Sequence, residues 1–268
     1  MPRRIGIAEG LAAALALFLV VAALAPQLVA PGNPLAIDPL SAFQSPSAGH
    51  LFGTDESGRD IYTRVIHGAG NSLLIGVLAT AIGLGFGVVL GTMAGMLGRV
   101  VDFSVNRVLE VLFAFPGLLL ALLVIVIYGP GVATATLAVG LSTAPGYARI
   151  IRSQLVSVRS SPFVEAATVQ GLTPWRILTR HILPNTLAPL VVLATLGIGQ
   201  AIVWATALSY LGLGAQPPAA EWGAMLSAGR TYITSAWWMS FFPGLFIVLT
   251  AVSATALGRA IERRMRHA

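Results

Sequence analysis

Cysteine and lysine are both missing from this chain. Without cysteine there can be no disulfide, no thiolate metal site and no thiol nucleophile. Without lysine there can be no phosphate-binding loop ending in Gly-Lys-Ser/Thr. Charge is scarce as well: 10% of the 268 residues are charged, against 56% hydrophobic. At a mean hydropathy of +0.83, a soluble domain of this length could not hide its apolar surface. The composition specifies a polytopic, all-α membrane protein. The isoelectric point near 10.7 does not point to nucleic acid, because the arginines flank apolar runs instead of striping a soluble face. Their role is to set topology.

Charge-free intervals mark the spans. The first is centred on Leu11–Val29 and the second covers about Ser72–Leu97. The interval from Glu110 to Arg149 is too long for one crossing of a ~30 Å core at ~1.5 Å per residue. Gly129-Pro130-Gly131 divides it into a hairpin, Val111–Tyr128 and Val132–Ala148. Pro184–Leu213 and Trp237–Leu257 complete six predicted spans. An inside N-terminus leaves only Arg59, Arg64 and Arg230 outside, so the positive-inside rule puts both termini in the cytoplasm. Arg3 and Arg4 ahead of the first run also fit a cleaved leader, but the run is long and lacks a clean small-x-small site, so a retained anchor is expected.

The chain thus divides into a tail and anchor (1–31), an outer segment (32–70), a core (71–258) and a basic tail (259–268). The core contains an inner loop (150–184) and an outer loop (214–236). Gly83, Gly87, Gly91 and Gly95 recur every four residues, and Gly197, Ala201 and Ala205 repeat the pattern. Both are faces where helices can approach closely. Pro116, Pro145 and Pro189 are each expected to kink or end a helix. No ionisable side chain lies deep in a span, unlike the carboxylates or histidines of ion-coupled carriers. The mid-span polar groups are Gln200, Thr206 and Ser209, open to reading as interhelical hydrogen-bonders or as contacts on a translocation path.

Ser161–Asn185 is polar and reads as two short helices. Ser161 and Pro162 form a cap and first turn, Glu165 meets the positive helix end, and Gly171 stops the helix. Thr173-Pro174 starts a second helix from Trp175 to about Ile182, expected to end before Pro184. Trp175, Arg176 and Arg180 should face the cytoplasm. A surface of Ala166, Ala167 and Gly171 permits close approach to a partner, although such an element can also lie on lipid headgroups.

Glu165-Ala166-Ala167, then Gly171, then Leu183-Pro184 resembles the EAA signature of ABC-importer permeases. His181–Asn185 looks like the peptide/nickel branch of that family. Leu51–Arg64 is similar to its Gly-Thr-Asp-x-x-Gly-Arg-Asp segment, and Gly214–Leu226 to its Gln-Pro-Pro…Glu-Trp-Gly stretch. Gly70 departs from relatives, which often have arginine there. The resemblance implies a type I importer permease in a bacterial inner membrane, with no catalytic residue, metal site or cofactor of its own. ATP and Mg²⁺ would reside in two partner ATPases coupled through Glu165–Pro184. A second, related permease and an external substrate-binding protein would complete the assembly. Contacts with the binding protein are expected from Asp55, Arg59, Asp60, Arg64, Gln216, Pro217, Glu221 and Trp222. Without the resemblance, the outer charges read as local ion pairs in water, and Trp222, Trp237 and Trp238 as interface anchors. Arg107 and Glu110 should pair along a helix face, with Asn106 beside them.

Overall fold

The computed structural model describes residues 7–265, so Arg3, Arg4, Arg266 and His267 lie outside the described residues. Regular structure among them is helical. α1 (Ile7–Leu24) and the short α2 (Pro26–Val29) lead through an outer loop to α3 (Ile61–Met96). Then come α4 (Arg99–Ala114), α5 (Gly117–Tyr128) and α6 (Val132–Arg159). The inner hairpin holds α7 (Pro162–Val169) and α8 (Pro174–Ile177), followed by α9 (Leu183–Tyr210), α10 (Trp222–Arg230) and α11 (Trp238–Met265).

Three stretches are long and apolar enough to cross a membrane: α3, residues 189–210 of α9, and α11. The pair α4–α5 makes a fourth if counted as one crossing. The predicted single helix Val111–Tyr128 is instead broken, and its two arms bend by 92°. Phe115 is extended (ψ 135°), as a residue before proline must tend to be, and Pro116 has no N–H with which to continue the helix. Pro145 and Pro189, by contrast, stay inside uninterrupted helices.

The glycine face packs as its spacing requires. Gly83, Gly87, Gly91 and Gly95 are all buried against α6. A Cβ on Gly87 would stand 2.5 Å from the Tyr147 Cβ, and one on Gly91 2.7 Å from the Ala148 carbonyl oxygen. The fit is reciprocal, since a Cβ on Gly140 of α6 would meet Ile82 of α3 at 2.7 Å. Gly197, Ala201 and Ala205 are buried along α9, with Gly197 over Tyr147 and Thr80.

Cross-helix bonds define the two ends of the bundle. Arg263 meets Glu9 at 2.7 Å, and Arg159 reaches the Gly95 carbonyl at 3.4 Å. The start of α1, the end of α11 and the hairpin therefore share one end. At the other end, the Trp238 indole donates to the Thr54 carbonyl at 3.0 Å and His67 meets the Ala30 carbonyl at 3.0 Å.

Gly87→Leu should destabilise the purified chain by about 2 kcal/mol or more through overpacking, read as a lower Tm in detergent. Gly85→Leu, where a Cβ would meet open space, should leave Tm unchanged.

Candidate functional site

The hairpin begins where α6 ends. Ser161 occupies the cap position of α7, but its hydroxyl turns back and donates to the Val158 carbonyl at 2.5 Å, so it does not cap by side chain. Glu165 lies in the first turn, and Gly171 adopts φ +73°, a left-handed stop that glycine reaches without strain. The Leu172 N–H then closes onto the Ala167 carbonyl at 3.2 Å. Thr173 caps the next helix, its hydroxyl accepting from the Arg176 N–H at 3.4 Å.

The second helix does not end before Pro184 as predicted. α8 passes through a π turn, Leu178–Ile182, directly into α9, which begins with Leu183 and Pro184. The wide turn accommodates the proline ring in the first turn of α9, where its missing N–H matters least.

One face of the hairpin is rooted. Val164, Ala167, Ile177 and Ile182 are buried with Ile151 and Leu155 of α6. The other face is bare: Glu165, Ala166, Gly171, Arg176 and Arg180 are exposed, and Trp175 is 70% exposed. The Ala-Ala pair therefore divides, Ala167 inward and Ala166 outward. Glu165, Arg176 and Arg180 form no ion pair among the described residues.

Above the hairpin, α4 is gripped by α6. Asp102 receives Arg152 through Nε at 2.5 Å and Nη2 at 2.6 Å, and the Arg149 guanidinium lies 3.9 Å over the Phe113 ring. Arg107 pairs with Glu110 at 2.6 Å as predicted, but Asn106 turns to Asp102 (2.6 Å) and not to Glu110. The α4–α5 elbow borders a cavity of about 300 Å³, walled by Phe115 and Gly117 at the bend, Pro145 and Gly146 of α6, and Gln200 and Trp204 of α9. Gly117 has no side chain because the Trp204 ring fills that space, Cζ3 lying 2.7 Å from where a Cβ would stand. Gln200 is thus on the cavity, whereas Thr206 and Ser209 are buried against Gly223 of α10.

The outer charges are a buried cap, not pairs in water. Arg59 bonds Asp55 at 2.7 Å and Glu56 at 2.8 Å, and Arg64 approaches Asp55 at 3.6 Å. Asp55, Arg59 and Arg64 are each under 10% exposed. Arg64 also donates to the carbonyls of Pro34 (3.0 Å) and Pro218 (3.3 Å), tying both outer loops together. Asp60 caps α3 through the Thr63 N–H and meets His50 at 3.0 Å. Glu221 is 2% exposed; it caps α10 through the N–H groups of Gly223 and Ala224 and accepts from Ser72 at 3.3 Å. Trp222 is fully buried, its indole donating to the Val65 carbonyl at 2.8 Å. Of the residues expected to meet a binding protein, Asp55, Arg59, Arg64, Glu221 and Trp222 are buried and Asp60 is half-buried; Trp238, expected as an interface anchor, is buried as well. Gln216 and Pro217 remain exposed, and Trp237 is half-exposed.

A helical bundle with long apolar spans, a buried polar cap at one end and a rooted hairpin at the other has the build of a membrane-embedded subunit. Residues 87–267 match the family of binding-protein-dependent transport system inner membrane components, and the chain belongs to that family. It is 44% identical to the dipeptide transport system permease protein DppC of Alkalihalophilus pseudofirmus, covering 91% of this chain and 80% of that one. It is 41% identical to the probable D,D-dipeptide transport system permease protein DdpC of Escherichia coli (86% and 77% covered). It is 39% identical to the glutathione transport system permease protein GsiD of Pectobacterium atrosepticum (82% and 73%). Its fold matches an amino acid ABC transporter chain with TM-score 0.61 at 17% identity, covering 76% of this chain and 94% of that one. An inward-facing MetNI methionine ABC transporter chain gives 0.60 at 20% identity (76% and 97%). The chain is an ABC-importer permease subunit, and the ATPase of the system lies in separate subunits.

The α4–α6 ion pair and the Gly117–Trp204 contact both escaped the sequence reading. Asp102 and Arg152 are fifty positions apart, and no local spacing links them. Trp204 opposite Gly117 had one usable signal, a large and a small residue on neighbouring spans.

Asp55→Asn should cost about 3 kcal/mol, because it leaves Arg64 without its carboxylate and Arg59 with Glu56 alone in a buried setting. A thermal melt of the purified chain reads this loss. A wild-type Tm would refute the buried-cap assignment.

Proposed function

We propose that this subunit moves a peptide-like solute, a dipeptide or oligopeptide, across the bacterial inner membrane by alternating access. The observation that carries the reading is the hairpin. Its apolar face is rooted on α6, its polar face is bare and unpaired, and its second arm continues into α9. An ATPase that grips Glu165, Ala166, Gly171, Trp175, Arg176 and Arg180 would move α6 and α9 together. These helices also wall the cavity that holds Gln200. Names of the relatives support the peptide class, since dipeptide and glutathione permeases are among them.

In this reading the chain crosses the membrane six times, with both termini and the hairpin in the cytoplasm. Two ATPase subunits bind ATP and Mg²⁺ and close together. Their closure pulls on the hairpin, and Arg152–Asp102 carries the motion to α4 and its elbow. A second, related permease supplies the opposing wall. A substrate-binding protein delivers from outside, and the exposed Gln216 and Pro217 are the outer residues left for it to touch. A stand-alone carrier is disfavoured because no charged side chain lines the cavity.

Ala166→Trp tests the docking face without straining the backbone, since Ala166 is exposed within α7. Binding of the ATPases in a pull-down should be lost and peptide uptake abolished, while the chain still inserts. Normal uptake by this variant would refute ATPase docking at the hairpin.

A further inference from the structure

Gln200 presents a problem in physical chemistry. It is exposed, it lies in the apolar stretch 189–210, and it makes no hydrogen bond among the described residues. A primary amide with neither donor nor acceptor satisfied is costly against lipid. The Trp204 indole N–H, one helical turn away on the same cavity wall, also has no partner among the described residues. Across from them Ser142 and Thr143 donate their hydroxyls to the carbonyls of Val139 and Gly140 of their own helix, leaving oxygen lone pairs free. Pro145, in the same wall, cannot give an N–H to the Leu141 carbonyl, which therefore lacks its usual helical donor.

A second hollow of about 450 Å³ shares Ile150 in its wall and lies towards the hairpin end between α6, α9 and the end of α11; its polar lining is Gln154, Asn185 and the Glu262 carboxylate. Gln154 likewise makes no hydrogen bond among the described residues. Asn185 uses its NH₂ on the His181 carbonyl (2.6 Å), which leaves its oxygen as an acceptor. Among apolar neighbours along the α6–α9 seam, hydroxyls and one amide thus face the upper cavity, and two amides and one carboxylate face the lower hollow. Around the upper cavity there is no carboxylate, imidazole, guanidinium or ammonium.

We infer that this seam is a binding track for the peptide backbone of the solute. Gln200 and Trp204 form the upper subsite at the elbow, and Gln154 and Asn185 the lower one. The inference rests on the transport reading above and adds the chemistry of recognition. A carboxamide matches a peptide bond donor for acceptor and acceptor for donor. Neutral dipoles hold it without the deep well a charge pair would make, so the solute can leave. In the upper subsite no charged group reads the side chains of the solute, and a bare divalent cation would find neither carboxylate nor imidazole there. An acyl chain in the upper cavity would leave the Gln200 amide unsatisfied.

The natural absence of cysteine allows a direct test. Gln200→Cys introduces a single thiol into the chain, to be studied in the full assembly reconstituted in liposomes. Millimolar tri-alanine should slow its labelling by N-ethylmaleimide, by roughly threefold at twice the dissociation constant. Val126→Cys, on an 81% exposed position of α5, should label at a rate indifferent to peptide. In parallel, Gln200→Leu should lower tri-alanine imported per ATP hydrolysed by roughly fivefold, the loss of one hydrogen bond. Gln200→Asn should recover part of it. If the wild type imports tri-alanine but neither labelling nor yield responds at Gln200, the track is overturned and the transport reading stands. If the wild type imports no peptide, both fall.

Discussion

The structure depends on the approach of two backbones. In lipid, helices gain nothing by burying apolar side chains from one another, so they associate where atoms can pack closely. Gly83, Gly87, Gly91 and Gly95 remove side chains along α3, and Tyr147, Ala148, Ile151 and Leu155 of α6 fill the space. Where Gly197 of α9 passes the same Tyr147, a third helix is drawn in. The position of α6 then decides everything functional nearby. Its middle walls the cavity, its arginines hold α4, and its inner end becomes the hairpin.

The two ends of the bundle are built by opposite rules. At the outer end, Asp55, Arg59, Arg64 and Glu221 are withdrawn from solvent and fully engaged. Breaking one partner of a buried ion pair is expensive, so this end resists rearrangement. At the inner end, charge and tryptophan stand exposed on a small rooted element. Two long helices, α6 and α9, run from that element past the cavity beside the α4–α5 elbow.

Much of this was legible in the chain. The glycine spacing, the stop at Gly171 and the cap-and-proline starts of the hairpin are local signals, each read from a few neighbouring residues. The elbow was half legible, since Pro116 announced a break but not a 92° bend. Pro145 and Pro189 do not end their helices, so the kink-or-end expectation fails there in its second half. The outer charges misled: their i,i+3 and i,i+4 spacing fits a solvated turn as well as a buried network.

By itself, the sequence determined that this is a helical membrane subunit without a phosphate loop, carrying a polar hairpin and one bare helix face. Composition and short-range periodicity suffice for that, because they act within a few residues. Only the tertiary structure decided that Glu221 and Trp222 are cap and core, that Asp102 belongs to Arg152, and that Gln200 and Trp204 share a cavity with the α4–α5 elbow. Those facts join residues far apart in the chain, as Ser72 and Glu221 are by 149 positions. Contacts of that range exist only once the helices have packed.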